Sequence, residues 1–201
     1  MVEFKKRLIG EGAEAEVWQI SNDFCEKIRL QKSYRIESLD FKLRKLRTRR
    51  EFKVLSFLFE GGVNVPNVEN LFISKNKVSF TFDYLGEEIL KFNLTEDLLF
   101  LAFEEIIKMH KLDVIHGDLT TLNMIIFNKK VFLIDFGLAS FTNKIESKAV
   151  DLNLFFNSIK NEHPKFYNFK KELLNKYLGE IKNANEILIR LGKIEHRGRN
   201  K

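Results

Sequence analysis

The segment "IHGDLTTLNMIIFNKKVFLIDFGLAS", residues 115–140, constrains the fold of this chain more than any other stretch. Its apolar runs "NMIIF" and "VFLID" flank the polar turn "NKK" and predict a β-hairpin. Asp118 precedes the hairpin and is placed to orient a hydroxyl or water and take its proton. Asn123 and Asp135 lie at the two ends of the hairpin and are hard oxygen ligands suited to Mg²⁺. The order of these groups predicts a site for phosphoryl transfer.

Periodicity in the rest of the chain predicts a sheet-rich half followed by a helix-rich half, an α+β fold. "RLIGEGAEAEVWQI" reads as two strands around a glycine turn, "FCEKIRL" as a third strand, and "NLFIS" with "VSFTFDYL" as a further hairpin. Leucines at three- and four-residue spacings predict a helix over 38–60, ended by "GG". A second helix is expected from Thr95, its N-cap, to Lys111, and residues 151–191 read as helical. A cleft between two such halves suits a nucleotide.

Three residue groups before residue 60 have the chemistry to bind triphosphate. Gly10 and Gly12 lie in a strand turn, where the backbone can close over phosphates, although paired glycines are common in hairpins. Lys27 on the next strand is suited to pair with phosphates, whereas its alternative is an ordinary solvated strand lysine. Glu51 is the one acid in a basic helical stretch, so it is the natural ion-pair partner of Lys27 or else a surface glutamate.

Charge and cysteine content indicate the cellular compartment and the kinds of partner to expect. The net charge is +6, and basic residues concentrate in 42–53 and 190–201, as solvated helix faces or as a contact for nucleic acid. The single Cys25 excludes an internal disulfide and fits a reducing compartment. "MVEFKKRLIGEG" has charges where a signal peptide is apolar, and the apolar run 98–103 is too short to span a bilayer. We expect a cytoplasmic protein without membrane contact.

These groups together resemble the protein-kinase signature in order and in strand–helix context. The resemblance implies a two-lobed protein-kinase-like fold that uses ATP and Mg²⁺, with Asp118 as the catalytic base and Asn123 and Asp135 as metal ligands. Residues 82–86, "FDYLG", would be the hinge whose backbone holds adenine. The ATP-binding residues implied in this way are Gly10, Gly12, Ala13, Val17, Lys27, Glu51, Asp83 and Leu85.

Two departures from the kinase pattern imply a minimal version of the fold. The usual His-Arg-Asp is His116-Gly117-Asp118, and no Ala-Pro-Glu segment follows "DFGLAS". In regulated kinases that arginine pairs with a phosphorylated activation loop, so its loss agrees with loss of the loop. We expect a β-rich N-lobe with one main helix (1–84), a reduced helical C-lobe lacking a full activation segment (85–194) and a basic tail (195–201). His116 is expected to brace its loop rather than to carry a proton.

A narrower resemblance spans most of the chain. "GEGAEAEVW", "KIRLQKSYRIESLD", "RTRREFKVL", "HGDLTTLNM", "KAVDL" and "RGRNK" are similar to the small atypical Ser/Thr kinase of the KEOPS (EKC) complex, a relative of RIO-type kinases. This resemblance implies ATP hydrolysis with autophosphorylation, a Kae-type threonylcarbamoyltransferase partner, a Cgi-type partner subunit and a role in forming threonylcarbamoyladenosine in tRNA. It also implies tRNA or partner contact by Arg197, Arg199 and Lys201, through phosphates and without reading sequence.

Two other functions are also compatible with the sequence. The His-Gly-Asp loop is shared with small-molecule phosphotransferases, which normally carry a larger helical C-lobe to form the substrate pocket. A non-catalytic module that holds ATP as a scaffold is the second alternative. In such a scaffold Lys27, Asp118 and Asp135 would be kept for architecture, and the intact set of Asp118, Asn123 and Asp135 argues against it.

Overall fold

A computed structural model describes residues 4–199 of the chain, with side chains described to residue 197. Lys201 therefore lies outside the described residues, as does the side chain of Arg199. The strands are β1 (Arg7–Glu11), β2 (Ala15–Gln19), β3 (Phe24–Arg29), β4 (Val68–Ile73), β5 (Val78–Asp83), β6 (Val114–Ile115), β7 (Met124–Phe127), β8 (Lys130–Leu133) and β9 (Ser140–Phe141). The α-helices are α1 (Glu37–Glu60), α2 (Leu90–Asn93), α3 (Glu96–Lys111), α4 (Ile145–Glu162), α5 (Lys170–Glu180) and α6 (Ala184–Arg199).

The N-terminal half is a five-stranded antiparallel sheet with one long helix against it. The strand order is β1-β2-β3-β5-β4, and α1 packs on β4 and β5. The helix stops at the predicted glycine pair, where Gly62 has φ of +76°, a left-handed conformation that favours glycine. Buried Val54, Leu55 and Leu58 face the sheet from the last turns of α1 and join the common core.

The C-terminal half is built around α3. Thr95 caps this helix as predicted, its hydroxyl accepting the N–H of Leu98 at 3.3 Å. Phe103 is fully buried at the middle of α3, and its ring lies 5.7 Å from the ring of Phe156 in α4 and 6.2 Å from that of Tyr177 in α5. Aromatic contacts of this kind hold α4 and α5 on α3, and α6 packs on α4.

Backbone hydrogen bonds join the hairpin of β7 and β8 to two other segments of the chain. The N–H of Leu133 donates to the carbonyl of Asn64 at 2.9 Å, and the N–H of Ile126 donates to that of Glu88 at 2.7 Å. These bonds join the hairpin to the segment after α1 and to the segment after β5. The ends of the hairpin are thereby held opposite the sheet.

The predicted order of strands and helices is confirmed, and the differences have local causes. The helix predicted from residue 151 begins six positions earlier, at Ile145. The two-residue strands β6 and β9 pair with each other and are too short to give a periodic pattern. Residues 195–199 of the predicted basic tail continue α6. Within residues 4–199, no helix combines the length and apolarity needed to cross a bilayer.

The basic stretch 42–53 is not simply a solvated helix face. Arg44 is buried, and its Nε donates to Asp40 at 2.6 Å while its Nη2 donates to the carbonyl of Lys75 at 3.0 Å. Arg47 pairs with Glu14 of the glycine turn at 2.7 Å. Part of this positive charge is thus used inside the N-terminal half, a role that a charge count along the sequence does not reveal.

Candidate active site

One cleft between the sheet and the β7–β8 hairpin collects most of the predicted site residues. Its volume is about 580 Å³. All eight residues expected at ATP and both expected metal ligands lie on its walls, namely Gly10, Gly12, Ala13, Val17, Lys27, Glu51, Asp83, Leu85, Asn123 and Asp135. Asp118 is not on the wall but contacts Asn123, and Arg197 is exposed on α6 and does not line the cleft.

Lys27 is the centre of the charged network in this cleft. Its Nζ lies 2.7 Å from Oε1 of Glu51 on α1, the predicted partner, and 2.8 Å from Oδ1 of Asp135. Burial opposes the charge on Lys27, but the two carboxylates outweigh it, so the pKa of Lys27 is raised. The ammonium is therefore fixed and charged at the point where the two halves meet.

Asp135 has a backbone conformation rare for a residue other than glycine. Its φ is +59° and its ψ is +64°, in the left-handed region that Asp and Asn tolerate better than most. Burial works against ionisation, but Lys27 outweighs it and lowers the pKa of Asp135. About half of the side chain (56%) is nevertheless exposed to the cleft. An ionised, accessible carboxylate in a strained turn is suited to take a cation.

Asn123 lies between Asp118 and Asp135. Its carbonyl accepts the N–H of Ile134 at 3.0 Å, which holds it beside Asp135. Its Nδ2 donates to the backbone carbonyl of Asp118 at 2.8 Å and to Oδ2 of Asp118 at 3.0 Å. With its amide nitrogen turned toward Asp118, Asn123 has its Oδ1 left to bind a cation.

His116 is fully buried and braces the loop, as the sequence predicts. Its Nε2 donates to the carbonyl of Ile134 at 2.9 Å, and its Nδ1 accepts the N–H of Asp118 at 3.3 Å. Burial lowers the pKa of His116, and both bonds fit the neutral ring. Its ring also lies 4.6 Å from that of the buried Phe136. The imidazole thus ties the Asp118 loop to the turn at Asp135.

Asp151 anchors the same loop from α4, a role the sequence analysis did not assign. The fully buried carboxylate accepts the N–H of His116 at 2.6 Å and that of Gly117 at 2.9 Å. His110 contacts it from α3 at 3.4 Å. The motif "KAVDL" contains this residue, and an acid between apolar residues on a predicted helix is the signal that marks it.

Arg29 is a second residue that the sequence analysis did not single out. It lies two positions after Lys27 on β3, is buried, lines the cleft and pairs with Oε2 of Glu51. Because side chains at i and i+2 of a strand share a face, the pattern Lys-x-Arg places two cations on the side of the sheet that Glu51 approaches. The prediction of a strand over "FCEKIRL" therefore already indicated that Arg29 lies on the same face of the sheet as Lys27.

The glycine turn between β1 and β2 is held by charge from α1 and the segment before it. Glu14 accepts from Nη2 of Arg35 at 2.9 Å and from Nη1 of Arg47 at 2.7 Å. The hydrogen bond from Arg35 lowers the pKa of Glu14. The negative charge of this residue is therefore balanced by two guanidinium groups.

Comparison with known proteins agrees with this architecture. Residues 20–151 match the family model described as the RIO domain. The KEOPS complex subunit Bud32 of Pyrococcus abyssi is 38% identical, covering 96% of each chain. A probable serine/threonine-protein kinase BUD32 homolog of Archaeoglobus fulgidus is 33% identical over 94% of this chain and 93% of its own. A probable bifunctional tRNA threonylcarbamoyladenosine biosynthesis protein of Methanocorpusculum labreanum is 36% identical over 94% of this chain but only 35% of its own.

Among solved structures, the aminoglycoside phosphotransferase APH(3'')-Id of Streptomyces rimosus has the same fold. The TM-score is 0.66 at 11% identity, over 92% of this chain and 90% of that one. The β-sheet half, the helical half and the cleft between them define a protein of the protein-kinase-like class. At the identities and coverage above, the chain belongs to the Bud32 family of RIO-domain proteins.

Proposed function

We propose that this protein is a Mg²⁺- and ATP-dependent phosphotransferase, an atypical Ser/Thr kinase with ATPase activity that also phosphorylates itself. The observation that carries the proposal is Lys27, fixed between Glu51 and Asp135 on the wall of a cleft that opens under a glycine turn. Triphosphate carries its charge on the phosphates, and this wall supplies a fixed cation where that charge would lie.

The donor set fits Mg²⁺ and ATP. Asp135 and Asn123 each offer a side-chain oxygen in the cleft, and Mg²⁺ is usually bound by one or two protein groups together with phosphates and water. When bound, the metal supplies positive charge to the phosphate oxygens. The adenine would lie along the segment with Asp83 and Leu85, whose path is fixed by N–H bonds from Asp83 to Asn67 at 3.0 Å and from Tyr84 to Asp23 at 2.8 Å.

Each side chain then has a distinct role. Lys27 holds phosphate oxygens, and Glu51 orients Lys27. Asp118 orients the hydroxyl or water that attacks and takes its proton, while Asn123 fixes the Asp118 carboxylate by its amide. Gly10 near the end of β1 and Gly12 in the turn that follows would cover the phosphates, with Ala13 beside them and Val17 against the base.

The biological setting that we propose is the KEOPS complex and the formation of threonylcarbamoyladenosine in tRNA. Its support is the family, whose members are named KEOPS subunit in Pyrococcus abyssi and tRNA threonylcarbamoyladenosine biosynthesis protein in Methanocorpusculum labreanum. The partners would be a Kae-type threonylcarbamoyltransferase and a Cgi-type subunit. A cytoplasmic location stays a prediction from the sequence.

The test uses γ-labelled ATP and Mg²⁺ with the purified chain, with and without the transferase partner and tRNA. Label on protein and label released as phosphate are counted separately, beside Asp135→Ala and Asp118→Asn variants. We expect release to rise with partner and tRNA, and to fall about 10²–10⁴-fold in Asp118→Asn while ATP still binds. ATP binding without turnover in any mixture would instead favour a nucleotide-holding scaffold. Transfer to small hydroxyl compounds would favour a small-molecule phosphotransferase.

We also propose that the basic residues Arg197, Arg199 and Lys201 contact tRNA. Because Glu195 pairs with Lys170, deleting 195–201 would also remove an ion pair within the helical half. A variant with Arg197, Arg199 and Lys201 all changed to Gln is the better test. It should weaken tRNA-stimulated turnover in a salt-dependent way and leave ATP binding unchanged. Equal stimulation at several salt concentrations would exclude this contact.

A further inference from the structure

Glu51 is shared by two cations, and the second has no part in the mechanism above. We infer that Arg29 is a positioning residue of the proposed ATP site, which keeps Glu51 and helix α1 in place when Lys27 also binds phosphate. The inference rests on the proposed function.

The two oxygens of Glu51 are divided between the two side chains. Oε1 lies 2.7 Å from Nζ of Lys27, and Oε2 accepts from Nη2 of Arg29. Glu51 is 1% exposed, so its charge depends on these partners rather than on water. With Lys27 alone, Glu51 would have one ion-pair partner, whereas in this structure it has two.

Arg29 also touches the turn that carries Asp135. A Cβ built on Gly137 would lie 3.5 Å from Nη2 of Arg29, so the guanidinium lies against this glycine. Its Nε is buried and has no hydrogen-bond partner among the residues that the structure describes. The side chain is therefore placed between β3, α1 and the Asp135 turn.

Charge balance explains why a second cation is needed. In the structure Lys27 pairs with both Glu51 and Asp135, whereas Arg29 pairs with Glu51 alone. With phosphate at Lys27, the ammonium would be shared between Glu51 and the phosphate oxygens, so the buried carboxylate would keep only part of the lysine charge. The guanidinium of Arg29 binds the other oxygen, so Glu51 stays paired and α1 stays against the cleft.

The test compares Arg29→Gln, Arg29→Lys and Lys27→Met. Arg50→Gln is the control, because Arg50 is an exposed residue of α1 next to Glu51. Amide hydrogen exchange of residues 48–55 reports on the seating of α1. We expect Arg29→Gln to speed this exchange on the order of tenfold, Lys27→Met to have a much smaller effect, and Arg50→Gln to have none. Arg29→Lys should restore part of the protection, because a lysine can still pair with Glu51.

Turnover gives a second readout. Arg29→Gln should lower kcat by about 10²-fold, through misplacement of Lys27, and change KM for ATP by less than about threefold. Loss of protection in Lys27→Met as large as in Arg29→Gln would overturn the inference, and so would normal protection in Arg29→Gln. If Arg29→Gln does not fold, the same comparison is made with Arg29→Lys. Protection and kcat equal to those of the wild type in Arg29→Lys would then overturn the inference. Absence of turnover in the wild type, with the expected exchange pattern, would remove the proposed function but keep the role of Arg29 in seating α1.

Discussion

Gly117 and Leu138 approach so closely that a Cβ on Gly117 would lie 2.8 Å from the carbonyl oxygen of Leu138. Gly117 also has φ of +85°, in the left-handed region. Both constraints favour glycine between His116 and Asp118. The packing of the Asp118 loop on the residues after Asp135 thus gives a local reason why no arginine stands at this position.

We expect Gly117→Ala to destabilise the protein by about 1–3 kcal/mol, because it adds both backbone strain and a steric clash. The measurement is urea unfolding followed by circular dichroism. Gly179→Ala is the matched control. Gly179 lies in α5 with open space around it, so alanine there should be neutral or stabilising by about 0.5–1 kcal/mol. Equal stability of the two variants would contradict the assigned packing.

The carboxylate of Asp151 is expected to be essential to the loop that carries Asp118. Asp151→Asn keeps the size but turns an amide N–H₂ toward a backbone N–H that needs an acceptor. We expect a loss of about 1–3 kcal/mol in the free energy of unfolding, together with reduced turnover. Glu180→Gln, which removes one partner of the exposed pair with Lys111, should leave the unfolding midpoint nearly unchanged. A midpoint for Asp151→Asn that matches the control would show that the loop does not depend on this anchor.

Buried, neutral His116 predicts a loss of stability in acid. Burial lowers its pKa against the pull of Asp151, Asp135 and Asp118, so the unfolded chain takes up a proton near pH 6.5 before the folded protein does. Stability is therefore full above pH 6.5, falls as the pH drops through it, and levels off below the folded pKa, with a slope of at most about 1.4 kcal/mol per pH unit.

The measurement is the urea midpoint between pH 5 and 8 for the wild type and for His116→Gln. Glutamine cannot take up the proton, so the difference between the two curves isolates this histidine from the other three. Parallel curves would show that the pKa of His116 does not change on unfolding, and a difference of opposite sign would show that the folded protein holds it charged.

Cys25 offers a probe of the cleft that needs no catalysis. It is the one cysteine in the chain, it lines the cleft and it is 1% exposed. Burial raises the pKa of its thiol to about 12, so the folded protein holds very little thiolate at pH 8. We expect alkylation to be slow, to require opening of the structure, and to slow further with Mg²⁺ and ATP. Cys25→Ser gives the background, and a rate equal to that of the urea-unfolded chain would contradict the burial.

The sequence determined the order of strands and helices because each pattern is local. The apolar runs of β7 and β8 around a polar turn, the leucine spacing in α1 and the cap at Thr95 depend on neighbours a few positions away. Most of the site residues expected from spacing and from family resemblance line one cleft, since strand ends and turns set where Lys27 and Asp135 lie. The strands β6 and β9 could not be predicted from the sequence, because two residues are too few to show a period.

Only the tertiary structure decided how charge is shared. Asp151 reaches the backbone of Gly117 across 34 positions, Arg29 reaches Glu51 across 22, and Glu14 reaches Arg35 across 21. Ion pairs and buried hydrogen bonds act over a few ångströms in space, whereas sequence patterns report only separation along the chain. For that reason the sequence named the groups of the proposed site, and the packing of distant segments determined which partners hold them.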